Sequence, residues 1–140
     1  MRRARPVERP EFRVQTEDAV SAKPCILVAD LDNASRSVVE ECLPSDRFEI
    51  KVCSENRRPA LPGRVDLVIF GSANELEQTE KSCAALRSCV GRNVPMMVSV
   101  GRYVYPLLKP LLGNVVQSMI ITPFNAAELR QRLDELDLGF

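Results

Sequence analysis

A chain of 140 residues and 15.6 kDa has room for one domain with a single core, because splitting into domains sets in well above this size. Apolar residues at 45% and charged residues at 27% are ordinary for a globular protein, and nineteen cations balance nineteen acids, so no global field draws the chain to nucleic acid or an anionic membrane. Histidine is absent, which removes Ser-His-Asp and Cys-His catalysis, histidine metal sites and a phosphohistidine relay together. No run approaches the ~20 apolar residues of a membrane span, and no signal-peptide run follows Arg2, Arg3 and Arg5, so the expected setting is the cytoplasm.

Residues 1–22 mix Arg, Glu and Pro around isolated Val7, Phe12 and Val14, which reads as a flexible extension to a domain at 23–140. Glu8, Glu11, Glu17 and Asp18 follow the arginines closely and argue against nucleic acid as their partner. CILVA at 25–29 is a short, unbroken apolar run ending at Asp30, as in a central strand covered on both faces. Asp32 or Asn33 then caps a helix whose Val38, Val39, Cys42 and Leu43 share one face, before Pro44 ends it. FEIKVC at 48–53 alternates, as an edge strand does. ENRRPALPGR at 55–64, with a small basic patch at Arg57, Arg58 and Arg64, holds no long helix.

VDLVIFG at 65–71 is a second buried-type strand, and Leu76, Thr79, Cys83, Leu86 and Val90 follow at helical spacing up to Gly91. NVPMMVSVG at 93–101 is another apolar strand. In YVYPLLKPLLG, Pro106 and Pro110 predict a short or distorted connection, since each interrupts a regular helix. VVQSMII forms the fifth strand. Asn125 with Glu128 makes a capping box, Phe124 and Leu129 occupy staple positions, and the helix they open buries Leu129, Leu133 and Leu136. Cys25, Cys42, Cys53, Cys83 and Cys89 are an odd set without C-x-x-C spacing and read as reduced core thiols.

Strands alternating with helices specify an α/β fold, a doubly wound five-stranded parallel sheet of flavodoxin-like order 2-1-3-4-5. Sites in such sheets lie at the strand carboxyl ends around the switch point, which directs attention to 30–32, 71–74, 99–101 and Thr122.

ILVADLDNASR at 26–36, VDLVIFG at 65–71, VPMMVSV at 94–100 and TPFNAAEL at 122–129 resemble receiver domains of response regulators over residues 23–140, with the P-F-x-x-x-x-L ending the most specific part. The resemblance implies an acidic pair after the first strand, a phospho-accepting Asp ending the third, a Thr or Ser ending the fourth and a Lys ending the fifth. Here Asp30 and Leu31 stand at the acidic pair, Gly71 at the acceptor, Val100 at the hydroxyl position with Ser99 one residue early, and Thr122 at the lysine. Ala73 falls at a ligand position, and Met119 replaces the switch aromatic. Glycine has no side chain to attack phosphorus with. Magnesium is usually held through carboxylates, and here neither metal nor cofactor is expected. Asp66 is no substitute, since five residues at roughly 3.3 Å each put it at the opposite sheet edge. The cis peptide of the family's equivalent bond is expected at Thr122-Pro123.

The expectation is thus a degenerate pseudo-receiver of bacterial two-component signalling: no enzyme, but an adaptor that acts by protein-protein interaction. Its expected partner is a signalling protein or a second copy of the chain. In receivers the fourth helix, fifth strand and fifth helix form the usual docking face, here about 102–138. Tyr103, Tyr105, Leu107, Leu108, Leu111, Leu112 and Met119 make it apolar beyond what one broken helix buries. The alternative is a small-molecule or nucleotide sensor using the pocket vacated at Gly71 and Ala73, although neither phosphate-loop glycine pattern occurs.

Overall fold

Unbroken apolar runs need cover on both faces, and the three central strands show it. The computed structural model describes residues 23–53, 64–72 and 76–138. Strands β1 (Cys25–Ala29), β3 (Leu67–Gly71) and β4 (Met96–Gly101) are buried along nearly their whole length. Strands β2 (Glu49–Cys53) and β5 (Ser118–Thr122) are half-exposed, as edges should be. All pairings are parallel, in the order β2-β1-β3-β4-β5. The doubly wound, flavodoxin-like architecture predicted from the strand pattern is therefore present. The extension at 1–22, the 54–63 connection and Ala73 lie outside the described residues.

Four helices are described: α1 (Asn33–Cys42), α2 (Leu76–Val90), α3 (Tyr105–Leu112) and α4 (Ala126–Leu136). Alternate side chains of each strand enter opposite cores. Val28, Ile69 and Met97 pack with Val39 of α1 and Leu129 of α4. Ala29, Phe70 and Val98 pack with Cys83 and Leu86 of α2 and with Leu108 and Leu112 of α3. Each fully buried aliphatic side chain contributes about 1.5–3 kcal/mol, so the two cores dominate the fold's stability. Among the described residues no helix is long and apolar enough to cross a membrane.

The helix ends follow local chemistry. Asp32 caps α1 by accepting from the Ser35 amide at 2.7 Å. Gly91 ends α2 with φ 91°, a left-handed conformation that glycine adopts without a side-chain clash. Asn125 and Glu128 form the reciprocal capping box of α4 at 2.8 and 3.0 Å. Phe124 and Leu129 are buried in one core.

α3 departs from the expectation. Pro106 does not interrupt it, because it sits in the first turn, where its missing N–H would have no intrahelical partner. Pro110 lies inside the helix and leaves the Pro106 carbonyl without its i+4 donor. Insertion of Leu108 and Leu112 into the core offsets that loss. The cysteines also need correction. All five are free, but only Cys25 and Cys83 are buried, while Cys42, Cys53 and Cys89 sit half-exposed on helix flanks and the β2 edge.

Candidate functional site

β1 and β3 lie side by side, with Ala29 opposite Phe70, so the residues that follow each strand meet at the carboxyl edge. Asp30 leaves β1 with φ 57°, a left-handed conformation that aspartate tolerates better than most residues. This turn lays the Asp30 carbonyl directly over Gly71. A Cβ added at Gly71 would overlap the Asp30 carbonyl oxygen and come within 3.1 Å of its carbon. Any side chain at position 71 thus requires the β1–α1 turn to move.

Leu31 is half-buried against the core beneath α1 and α4. Ser99 is the register partner of Gly71 and is buried, while the Ser72 amide donates to its carbonyl at 2.9 Å. Val100, expected at the hydroxyl position, does not share the face of Gly71. Strand alternation turns it into the opposite core with Phe70 and Leu108, and Ser99 stands at the level of Gly71 instead. Thr122 is half-buried, and its hydroxyl donates to the Val100 carbonyl at 3.3 Å, joining the ends of β4 and β5. The Thr122-Pro123 bond is cis. Asp66 sits at the amino edge, where its carboxylate accepts from the Cys25 amide at 2.7 Å and from Arg64 Nε at 2.8 Å.

Burial is the main cause that pushes the thiols of Cys25, Cys42, Cys53 and Cys83 above their ordinary range; Glu49 adds to it for Cys25, and Asp30 for Cys53. Protonated thiols are poor nucleophiles. Among the described residues, the carboxyl edge therefore brings together Gly71 under a carbonyl, the half-buried Leu31 and the hydroxyl residues Ser72, Ser99 and Thr122. Asp30 and Asp32 are exposed, and one Asp32 oxygen caps α1.

The expected docking face divides in two. Tyr103 is 85% exposed, Leu107 56% and Leu111 44%, so these three point outward. Leu108 and Leu112, named with them from sequence, are 0% and 3% exposed and belong to the core, because the i, i+4 spacing puts both on the inner side of α3. Tyr105 and Met119 are half-buried against the same core, with Lys109 Nζ 5.7 Å from the Tyr105 ring centroid. Ile121, which the sequence reading did not single out, is exposed on edge strand β5. Its edge position follows from the strand order alone.

The doubly wound sheet with its switch point at β1 and β3 defines a flavodoxin-like α/β domain. No protein-family model and no curated protein matches the chain. Among solved structures it is similar to a response regulator from Thermotoga maritima, with a TM-score of 0.65 and 19% identity over 81% of this chain and 97% of that one. The chemotaxis response regulator CheY4 of Vibrio cholerae matches with a TM-score of 0.65 and 18% identity over 82% and 99%. The pilus assembly protein CpaE from Caulobacter crescentus matches with a TM-score of 0.62 and 12% identity over 81% and 95%. The chain has the fold of CheY-like receiver domains.

Proposed function

We propose that this chain is a pseudo-receiver, a signalling module that passes information by protein contact and not by phosphoryl transfer. The observation that carries the reading is the Gly71 contact. The end of β3 offers no carboxylate, and the Asp30 carbonyl occupies the space one would need. The magnesium ion that the receiver fold implies does not fit this residue set, because Leu31 and Gly71 supply no side-chain oxygen and one oxygen of Asp32 is bound to the Ser35 amide. At the lysine position Thr122 is neutral and already bonded to a backbone carbonyl. The exposed apolar side chains of Tyr103, Leu107 and Leu111 support α3 as the docking surface. The carbonyl over Gly71 also bears against a ligand seated between β1 and β3, which leaves the sensor reading without support there.

Titration with magnesium and beryllium fluoride, followed by amide chemical shifts, tests the proposal. No saturable shift is expected at Asp30, Gly71, Ser72 or Thr122. Saturable shifts clustered there would revive a working acceptor site.

A further inference from the structure

The end of α1 and the second half of α4 leave a groove of about 380 Å3 between them. Its floor is the buried pair Leu43 and Phe48, and the half-exposed side chains of Cys42, Leu133 and Leu138 stand around it. Asp134 and Asp137 are exposed along its α4 side, with Arg130 as the one cation among the lining residues. Among the described residues no ion pair engages either carboxylate. The volume lies at the small end of ligand sites, about 300–1,000 Å3, and it suits one large apolar side chain with a cation beside it.

The chain enters the domain beside this groove. Lys23 Nζ donates to the Ser45 carbonyl at 3.2 Å, two residues beyond Leu43, and the Pro24 carbonyl accepts from the Glu49 amide at 2.9 Å, directly after Phe48. Residues 1–22 are thus tethered at the mouth of the groove. Their sequence matches it in chemistry: residues 1–14 hold five arginines against two glutamates, and Phe12 stands next to Arg13 and three residues after Arg9. The stretch from Phe12 to Lys23 reaches up to about 40 Å when extended, so length does not limit the contact. A tether this short also gives its own segment an effective concentration of about millimolar, which a separate partner rarely matches. We infer that residues 1–22 dock on their own domain, with Phe12 in the α1–α4 groove and Arg9 and Arg13 facing Asp134 and Asp137. Docking there leaves the outward side of α3, on the other core, uncovered, and it does not depend on whether the carboxyl edge transfers phosphoryl groups.

The test is alkylation of the full chain with iodoacetamide, read cysteine by cysteine by peptide mass spectrometry. Cys42 lines the groove, while Cys53 and Cys89 are half-exposed away from it and serve as internal controls. Phe12→Ala is expected to speed labelling of Cys42 about fivefold, the release of a docked state favoured by about 4:1, and to leave Cys53 and Cys89 unchanged. Arg9→Gln combined with Arg13→Gln is expected to speed it about twofold, the share that exposed charges supply. Loss of cations by itself raises a thiol pKa and slows alkylation, so a faster Cys42 reports lost cover and not a changed field. Both sets of substitutions lie outside the domain core, and circular dichroism confirms an unchanged fold. Sedimentation velocity shows whose segment is docked, with a monomer expected at every concentration. Equal Cys42 rates in the wild type and Phe12→Ala, or faster labelling of all three thiols, would overturn the inference. So would a dimer that Phe12→Ala dissociates, because the segment would then sit on a second copy.

Discussion

The two edges of the sheet are held by different means. At the amino edge, side chains bond to the backbone. Arg87 donates to the carbonyls of Gly91, Val94 and Val115 at 2.9, 2.6 and 2.7 Å. The Gln117 side-chain oxygen accepts from the Met96 amide at 2.8 Å, and Asp66 extends the β1–β3 pairing. At the carboxyl edge, where receiver-like chemistry would sit, main chain closes the end of β3, with the Asp30 carbonyl over Gly71, while the Thr122 hydroxyl bonds the Val100 carbonyl and joins β5 to β4. The contrast teaches that dense polar bonding marks scaffolding in this molecule, and that the end expected to react is closed by its main chain.

The largest effect expected of any substitution falls on the closed end. Gly71→Asp should destabilise by about 3 kcal/mol, because its Cβ displaces the Asp30 turn and its carboxylate enters a buried position. Chemical denaturation checks this, and a neutral effect would show that the turn is free to move. Next comes the amino edge. Arg87→Met keeps the aliphatic stem but leaves three carbonyls without their charged donor, for a loss of about 2 kcal/mol. Because those acceptors are uncharged, added salt should not reproduce the loss in the wild type, and a salt-sensitive result would point to an ion pair instead.

Much of this architecture was legible from residue patterns. CILVA and VDLVIFG announce strands covered on both sides, and the alternation of FEIKVC announces an edge. The Asn125 and Glu128 pair announces the start of α4. Less legible were features that depend on three-dimensional register. The left-handed turn at Asp30 leaves no signature in an ADLDN string, so the closing of Gly71 appears only in the structure. The eight residues of α3 hold five apolar side chains and two prolines. Periodicity over two turns does not decide that Leu108 and Leu112 face inward while Leu107 and Leu111 face out. Val100 was placed by counting along the chain, and pleat alternation turned it to the other core.

Smaller effects sharpen the contrast further. Asn125→Ala removes the cap at the carboxyl-edge end of α4 and should cost about 1 kcal/mol in the same assay. The thiol of Cys83, whose ordinary value is 9.0, is held above it by burial. The protonated form is thus favoured in the folded state. Its contribution to stability is complete below pH 9.0 and is lost as pH rises through the higher folded-state value. Denaturation across that window should show a declining stability, with a shallower decline in Cys83→Ala. Tyr103→Ala, in the exposed turn that leads into α3, should change stability by less than about 0.5 kcal/mol in the same assay.

The central claim is that the carboxyl end of β3 takes part in no phosphoryl transfer. Intact-mass spectrometry of the full chain after incubation with acetyl phosphate and magnesium measures this directly. The account predicts unmodified protein at every time point. A phosphoryl adduct mapped to Asp30 or Asp32 would contradict it.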